Sequence, residues 1–220
     1  MSELSPRQRA WVEVSSTAIE ANCRLLRRQL APGCQLMAVV KADGYGHGAV
    51  TVAKAALRSG ASSLGVATLQ EGLELRDAGI EAPVLILSAL HTPEDLGHCL
   101  ERRLMPTLSS LEEAKTAAAV AAGQGTDRFP VQLKLDTGMA RLGGEWLKGA
   151  GLAKSIRALP QLKLVGLYSH LACADEPDDQ LTQVQLQRFR SVIEALPDGG
   201  NDLCCHLANS AGTLQDPRLH

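Results

Sequence analysis

The residue with the clearest chemical potential is a lysine at the end of an apolar run. Lys41 follows the stretch LMAVV and precedes the glycine-rich segment DGYGHG, residues 43–48. Partial burial lowers the pKa of an amine, and the neutral amine is the form that attacks carbonyl groups. The glycines allow a tight turn and close approach of the backbone to a ligand. The position also fits a lysine whose stem packs on the protein while its charge stays in water.

A second basic pair and a histidine follow other apolar runs. Lys134 lies within VQLKLD, and Arg141 follows that run. Lys134 faces either the protein interior or solvent, and the planar guanidinium of Arg141 suits a carboxylate, a phenolate or a nearby acidic side chain. His170 ends the run GLYSH, where a histidine is either structural or catalytic.

Three further residues suit a phosphate group. Tyr45 offers a phenol, and Asn209 and Ser210 stand between an apolar run and a predicted helix, where hydroxyl and backbone N–H groups bind anions. The preceding Cys204-Cys205-His206 does not predict a metal site, because adjacent residues of a strand point to opposite faces.

Short apolar runs alternate with segments of helical period, which predicts parallel strands joined by right-handed crossovers. Because Lys41, Asp136, His170 and Asn209 follow different strands, an α/β fold of the TIM-type (β/α)8 barrel class is favoured over a doubly wound sheet. The seven predicted strands are one fewer than a closed barrel needs. They are Leu36–Lys41, Leu64–Ala67, Val84–Leu87, Leu104–Leu108, Val131–Asp136, Leu164–Ser169 and Leu203–Leu207. Predicted helices include Ser16–Leu30, His47–Ser59, Leu69–Ala78, Leu111–Ala121, Glu145–Ala158 and Leu181–Leu196.

Composition excludes several classes of function. The chain has 220 residues, 45% of them hydrophobic, and a net charge of −2, which disfavours nucleic-acid binding. No apolar stretch approaches the ~18 residues that span a bilayer, and the N-terminus lacks the apolar core of a signal peptide. The six cysteines show no disulfide spacing, so we expect reduced thiols in a cytoplasmic protein without membrane or metal partners.

Four segments resemble those of one family. AVVKADGYGHG resembles the cofactor-lysine signature of bacterial alanine racemases, commonly VVKANAYGHG, with Asp43-Gly44 in place of Asn-Ala. LKLDTGMARLG, GLYSHLACAD and HLANSAG resemble further segments of that family in the same order, and the likeness extends from Trp11 to the last residue. The resemblance implies a pyridoxal 5'-phosphate enzyme that interconverts L- and D-alanine, supplies D-alanine for peptidoglycan and is a homodimer at full length.

The resemblance also assigns roles to single residues. Lys41 would hold the cofactor as a Schiff base and act as the base for the α-proton of the D-isomer. Arg141 would bond the phenolic oxygen of the cofactor and the substrate carboxylate, and a carbamylated Lys134 would orient Arg141. The cofactor shell would also include Tyr45 and Ser210 at the phosphate, His170 by the pyridine ring, and Asn209.

The family continues beyond the length of this chain, with a last barrel strand and a C-terminal β-domain that carries a second base. We therefore expect residues 16–220 to form an incomplete barrel, and residues 1–15 to include a strand, Ala10–Val14, that pairs with that further domain. We expect the chain alone to racemise alanine poorly.

Three alternatives stay open. One is a broad-specificity amino-acid racemase, which the missing signal peptide disfavours because such enzymes are usually exported. The second is a relative of pyridoxal-phosphate decarboxylases, which lack the GYGHG segment after the lysine. The third is a non-catalytic pyridoxal-phosphate-binding barrel, which is similar in length but has different residues around its lysine.

Overall fold

The computed structural model describes residues 10–176 and 180–220. Its strands are β1 (Met37–Val39), β2 (Ser63–Val66), β3 (Val84–Ala89), β4 (Met105–Leu108), β5 (Phe129–Asp136), β6 (Gly144–Glu145), β7 (Leu162–Tyr168) and β8 (Cys204–His206). Its helical segments are α1 (Ser16–Gln29), α2 (Lys41–Gly46), α3 (Ala49–Arg58), α4 (Leu69–Asp77), α5 (Pro93–Glu101), α6 (Leu111–Gly123), α7 (Gly149–Arg157), α8 (Leu181–Glu194) and α9 (Ser210–Gln215). Short 3-10 helices cover Trp146–Lys148 and Pro217–Leu219.

Seven strands form one parallel sheet in the order β1-β2-β3-β4-β5-β7-β8, and the two-residue β6 pairs with β5. Among the described residues, β1 pairs only with β2 and β8 only with β7, so the sheet is open between these two strands. Parallel strands place all their C-terminal ends at one edge of the sheet. The predicted barrel with seven of its strands is therefore confirmed as the fold class.

The longest strand shows how the core is divided. Residues 131–135 of β5 are all buried, as expected for a strand between helices on one side and a barrel interior on the other. Successive side chains alternate between faces, so Leu133 and Leu135 share one face, and Gln132 and Lys134 share the other. The first face packs against helices: a Cβ placed on Gly149 of α7 would lie 2.9 Å from Leu135 Cδ1. The polar face lines the interior.

The turns that follow three strands are closed by helix caps. The side chains of Thr68, Thr92 and Ser110 accept hydrogen bonds from the third residue of α4, α5 and α6. Such a cap satisfies an otherwise unpaired N–H group at a helix start. The caps therefore order the connections at the C-terminal edge of the sheet.

All seven predicted strands are present, and the differences lie at their ends. The strand expected to run through Lys41 ends at Val39, and Lys41 begins α2, so the lysine is not itself a strand residue. Helix α5 was not among the predicted helices, although Thr92 and Pro93 form a recognisable helix start. No helix among residues 10–176 and 180–220 is long and apolar enough to cross a membrane.

The segment before α1 is largely exposed. Trp11 is 62% exposed and Val12 is 82% exposed, and residues 10–14 belong to no strand. The predicted pairing of Ala10–Val14 with a further domain stays a prediction.

Candidate active site

The lysine turn, which we define as Lys41–Gly46, has an unusual backbone. Its residues 42–45 all have φ between 51° and 61°, which is the left-handed helical region. This conformation costs roughly 1–2 kcal/mol for each residue with a Cβ atom. Ala42, Asp43 and Tyr45 all have one, so neighbouring contacts must hold the turn.

Asp43 and Gly44 anchor the lysine turn to α3. The Asp43 carboxylate accepts a hydrogen bond of 2.7 Å from the N–H of Ala49, and its carbonyl accepts one of 2.9 Å from Gly48. A Cβ on Gly44 would lie 2.9 Å from Val52 Cγ2, so a larger residue at this buried position would require Val52 to shift. The Gly44 that replaces the family's common alanine therefore fits both the backbone conformation and the packing.

The turn presents an amine and a phenol at the strand ends. Lys41 Nζ lies 5.9 Å from the centre of the Tyr45 ring, and Tyr45 is 59% exposed. Lys41 is half-buried, and its amine has no hydrogen-bond or ion-pair partner among the residues that the structure describes. The amine is thus available to a ligand.

The loop that carries Arg141 is folded around Asp136, the last residue of β5. One Asp136 carboxylate oxygen accepts hydrogen bonds from the N–H groups of Gly138 (2.9 Å) and Ala140 (3.0 Å). The loop comes back to β5 at Gly143, where the backbones are so close that a Cβ on Gly143 would lie 2.6 Å from the Asp136 nitrogen. The Arg141 guanidinium is exposed, and within the described ranges no acidic side chain pairs with it.

Lys134 points into the barrel interior rather than to solvent. It is only 5% exposed, and its Nζ lies 5.4 Å from the centre of the Tyr168 ring. The sheet register pairs Lys134 with Tyr168, and Tyr168 with His206, so these residues form one layer of the interior. The alternative of a solvent-facing Lys134 is wrong.

His170 stands two residues beyond β7 and is held through its backbone. Gln185 of α8 is fully buried and donates a 2.8 Å hydrogen bond to the His170 carbonyl. The same side chain accepts from the N–H of Ala172 (2.9 Å) and donates to the Thr137 hydroxyl (3.2 Å). Gln185 therefore links the segments after β5 and β7.

Four of the predicted site residues converge into one positively charged region. Burial lowers the pKa of His170, and the charges of Arg141, Lys134 and Lys41 lower it further. Burial likewise lowers the pKa of Lys134, as do Arg141 and Lys41, whereas Asp136 opposes this change. The region therefore favours an anionic ligand, and it favours the neutral form of His170.

Asn209 and Ser210 lie beyond β8, at the start of α9. The Asn209 side chain accepts a 2.9 Å hydrogen bond from the N–H of Gly212 and so caps that helix. Ser210 is exposed. Among the described residues, neither side chain hydrogen-bonds to Lys41, Arg141 or His170.

Beneath these residues lies a polar chain that the sequence analysis missed. The Thr107 hydroxyl is 2.7 Å from the Tyr168 hydroxyl, and the Tyr168 ring stacks on His206 with centroids 4.6 Å apart. His206 Nε2 is 2.8 Å from the side-chain oxygen of Gln132, and burial lowers the pKa of His206 to about 4. The sequence did contain one signal for Gln132. It lies two residues before Lys134 in β5, so the two side chains point to the same face of the strand.

The fold and the site together define a class: a parallel β/α-barrel protein with an amine, a guanidinium and an imidazole gathered at the strand ends. The family model for the N-terminal domain of alanine racemase matches residues 14–220. The chain belongs to the alanine racemase family.

Individual relatives agree with this assignment. The alanine racemase of Prochlorococcus marinus is 50% identical over all of this chain and 58% of its own length, and that of Nostoc sp. is 48% identical over 97% and 56%. The crystal structure of the Streptomyces lavendulae alanine racemase superposes with a TM-score of 0.85 at 38% identity, covering 94% of this chain and 55% of that one. The chain thus spans little more than half the length of these relatives.

Proposed function

We propose that this chain forms the cofactor-binding part of an alanine racemase, with Lys41 as the covalent attachment point for pyridoxal 5'-phosphate. The observation that carries the proposal is the unpaired amine of Lys41 in the same charged region as Arg141. This charge cluster fits a cofactor that bears a phosphate and a phenolic oxygen, both anionic, and a carbonyl that reacts with an amine.

The proposed cofactor supplies delocalisation for the electrons released when the α-proton of alanine is removed. Lys41 holds the cofactor and transfers the proton on one face of the α-carbon, a task in which a positioned base contributes ~10²–10⁴-fold. Arg141 binds the substrate carboxylate and the cofactor's phenolic oxygen. Tyr45 and Ser210 bind the phosphate, and Asn209 orders the segment that presents Ser210.

His170 and Lys134 adjust the charge of the site. A neutral His170, favoured by burial and by the neighbouring charges, would contact the cofactor's pyridine ring without adding a positive charge. Lys134 is buried and its pKa is lowered, so its amine is suited to react with carbon dioxide. Addition of carbon dioxide to the neutral amine releases a proton and leaves a carbamate, an anion that would pair with Arg141.

Proton transfer on the opposite face needs a second base, which we propose is contributed by the part of the family fold that follows residue 220. We further propose that the complete protein is a cytoplasmic homodimer that converts L-alanine into D-alanine for peptidoglycan. These proposals rest on the family membership of the chain.

Borohydride trapping tests the proposed attachment. The chain is incubated with pyridoxal 5'-phosphate, reduced and digested, and the modified lysine is identified by mass spectrometry. We expect the adduct on Lys41 and its loss in Lys41→Ala, while Lys54→Ala, at an exposed position of α3, keeps it. An adduct that forms equally in Lys41→Ala contradicts the proposal. D-alanine formation from L-alanine, measured on the complete protein that supplies the proposed second base, then separates a racemase from a barrel that only binds the cofactor.

A further inference from the structure

One acidic side chain reaches from a neighbouring helix to the lysine turn. Glu71 is the third residue of α4, and one of its carboxylate oxygens accepts hydrogen bonds from the N–H groups of Ala67 (2.6 Å) and Thr68 (3.1 Å). Its other oxygen accepts a 2.7 Å hydrogen bond from the N–H of Ala42, 29 residues away in sequence. Glu71 therefore joins a helix cap to the residue next to Lys41.

Ala42 has a backbone conformation that needs such a contact. It is the first left-handed residue after Lys41, with φ 51° and ψ 52°, and it carries a Cβ atom that disfavours this conformation. A hydrogen bond from a backbone N–H to a carboxylate is charge-assisted and stronger than one to a neutral acceptor. Without Glu71, the turn would lose the side chain that holds its first left-handed residue, Ala42.

We propose that Glu71 is a positioning residue for Lys41: it fixes the lysine turn so that the amine of Lys41 and the phenol of Tyr45 face the same ligand. This inference rests on the proposed function for its catalytic meaning, but the contact itself is tested without cofactor. A displacement of about 1 Å in a reacting group costs about 10²-fold in rate, so control of this turn matters for the chemistry.

The chain offers a matched control for the helix-capping role of Glu71. Glu113 is the third residue of α6, where Ser110 is the cap, and its carboxylate accepts a 2.6 Å hydrogen bond from the N–H of Ser109. The Glu113 cap thus repeats the Glu71 cap after a different strand. Among the described residues, Glu113 makes no hydrogen bond to the lysine turn.

The test compares Glu71→Ala with Glu113→Ala by two measurements. In the absence of cofactor, amide hydrogen exchange at Ala42 should be at least about tenfold faster in Glu71→Ala, the effect of losing roughly one charge-assisted hydrogen bond, and unchanged in Glu113→Ala. With pyridoxal 5'-phosphate, the apparent dissociation constant for the borohydride-trapped adduct at Lys41 should rise about tenfold in Glu71→Ala alone.

Equal exchange at Ala42 in the two variants would overturn the inference, because Glu71 would then be only a helix cap. Absence of any adduct in the unaltered chain would overturn the proposed function instead, and the exchange at Ala42 would still decide the role of Glu71. If Glu71→Ala does not fold, Glu71→Asp and Glu113→Asp give the same comparison, since the shorter side chain keeps the charge at the helix start but is too short to reach Ala42 as well.

Discussion

The hydroxyl pair beneath the site gives a quantitative test of the interior packing. Thr107 donates its only hydroxyl hydrogen to the carbonyl of Ile86 at 2.7 Å, so the Tyr168 hydroxyl must be the donor in the 2.7 Å contact between the two side chains. Tyr168 is 3% exposed and Thr107 is 2% exposed, so water cannot replace either partner. Removing one of the two hydroxyls therefore lowers the free energy of unfolding by a different amount from removing both.

The expected magnitudes follow from this asymmetry. Tyr168→Phe removes one hydrogen bond, and we expect the free energy of unfolding to fall by about 1 kcal/mol. Thr107→Val leaves the Tyr168 hydroxyl buried without a partner, which costs about 1–3 kcal/mol. Because the double variant no longer buries that unpaired hydroxyl, it should be about 1 kcal/mol more stable than the sum of the two single changes predicts.

Urea unfolding followed by circular dichroism measures all four members of the cycle. For a chain of this length, 1 kcal/mol corresponds to roughly 2–4 °C in the melting temperature, which gives an independent check. Thr116→Val, in the outer part of α6, is the control for the threonine change and should stay within about 0.5 kcal/mol. Additivity of the two changes within about 0.3 kcal/mol would refute the assignment of the Tyr168 hydroxyl as a buried donor.

Three other perturbations probe the site. In the chain without carbamylation, the pKa of the Lys134 amine is lower in the folded state than in the unfolded one, so the folded state binds fewer protons between that lowered pKa and about 10.5. Stability should therefore rise with pH across this window, and urea unfolding of Lys134→Met should show a flatter profile. Folding lowers the pKa of His206 from 6.5 to about 4, so the free energy of unfolding should decline as the pH drops through this interval, by about 3 kcal/mol in total. Proton NMR should find the imidazole of His206 still neutral at pH 5. Gly143 has φ +125°, and Gly143→Ala places a Cβ 2.6 Å from a backbone atom, so thermal melting should show the stability of the fold lowered by more than about 2 kcal/mol. The control Gly79→Ala, whose Cβ meets open space, should lower it by about 1 kcal/mol.

Much of the site was predictable because strand patterning locates chain positions at one edge of a sheet. Lys41, Arg141 and His170 each follow an apolar run, and parallel strands bring their C-terminal ends together. Alternation along β5 also placed Lys134 on the same face as Gln132, but it left open which face was interior. That choice depends on which side the helices cover, and a pattern of period two carries no such information.

Contacts between distant segments could not be predicted in this way. The hydrogen bond from Ala42 to Glu71 and the links of Gln185 to His170 join residues that are not neighbours in sequence. Thr68 and Glu71 have the spacing that predicts a helix cap. The residues around them do not predict that the second carboxylate oxygen of Glu71 reaches the lysine turn.

Local composition and short motifs were enough to predict the seven strands along the chain, the resemblance to the family and the lysine that we propose binds the cofactor. Only the tertiary structure decided that the lysine turn is left-handed, that Lys134 is buried, and that Lys41, Arg141 and His170 share one field. The physical reason is that burial, charge coupling and strained backbone are properties of what surrounds a residue, and the surroundings are assembled from the whole chain.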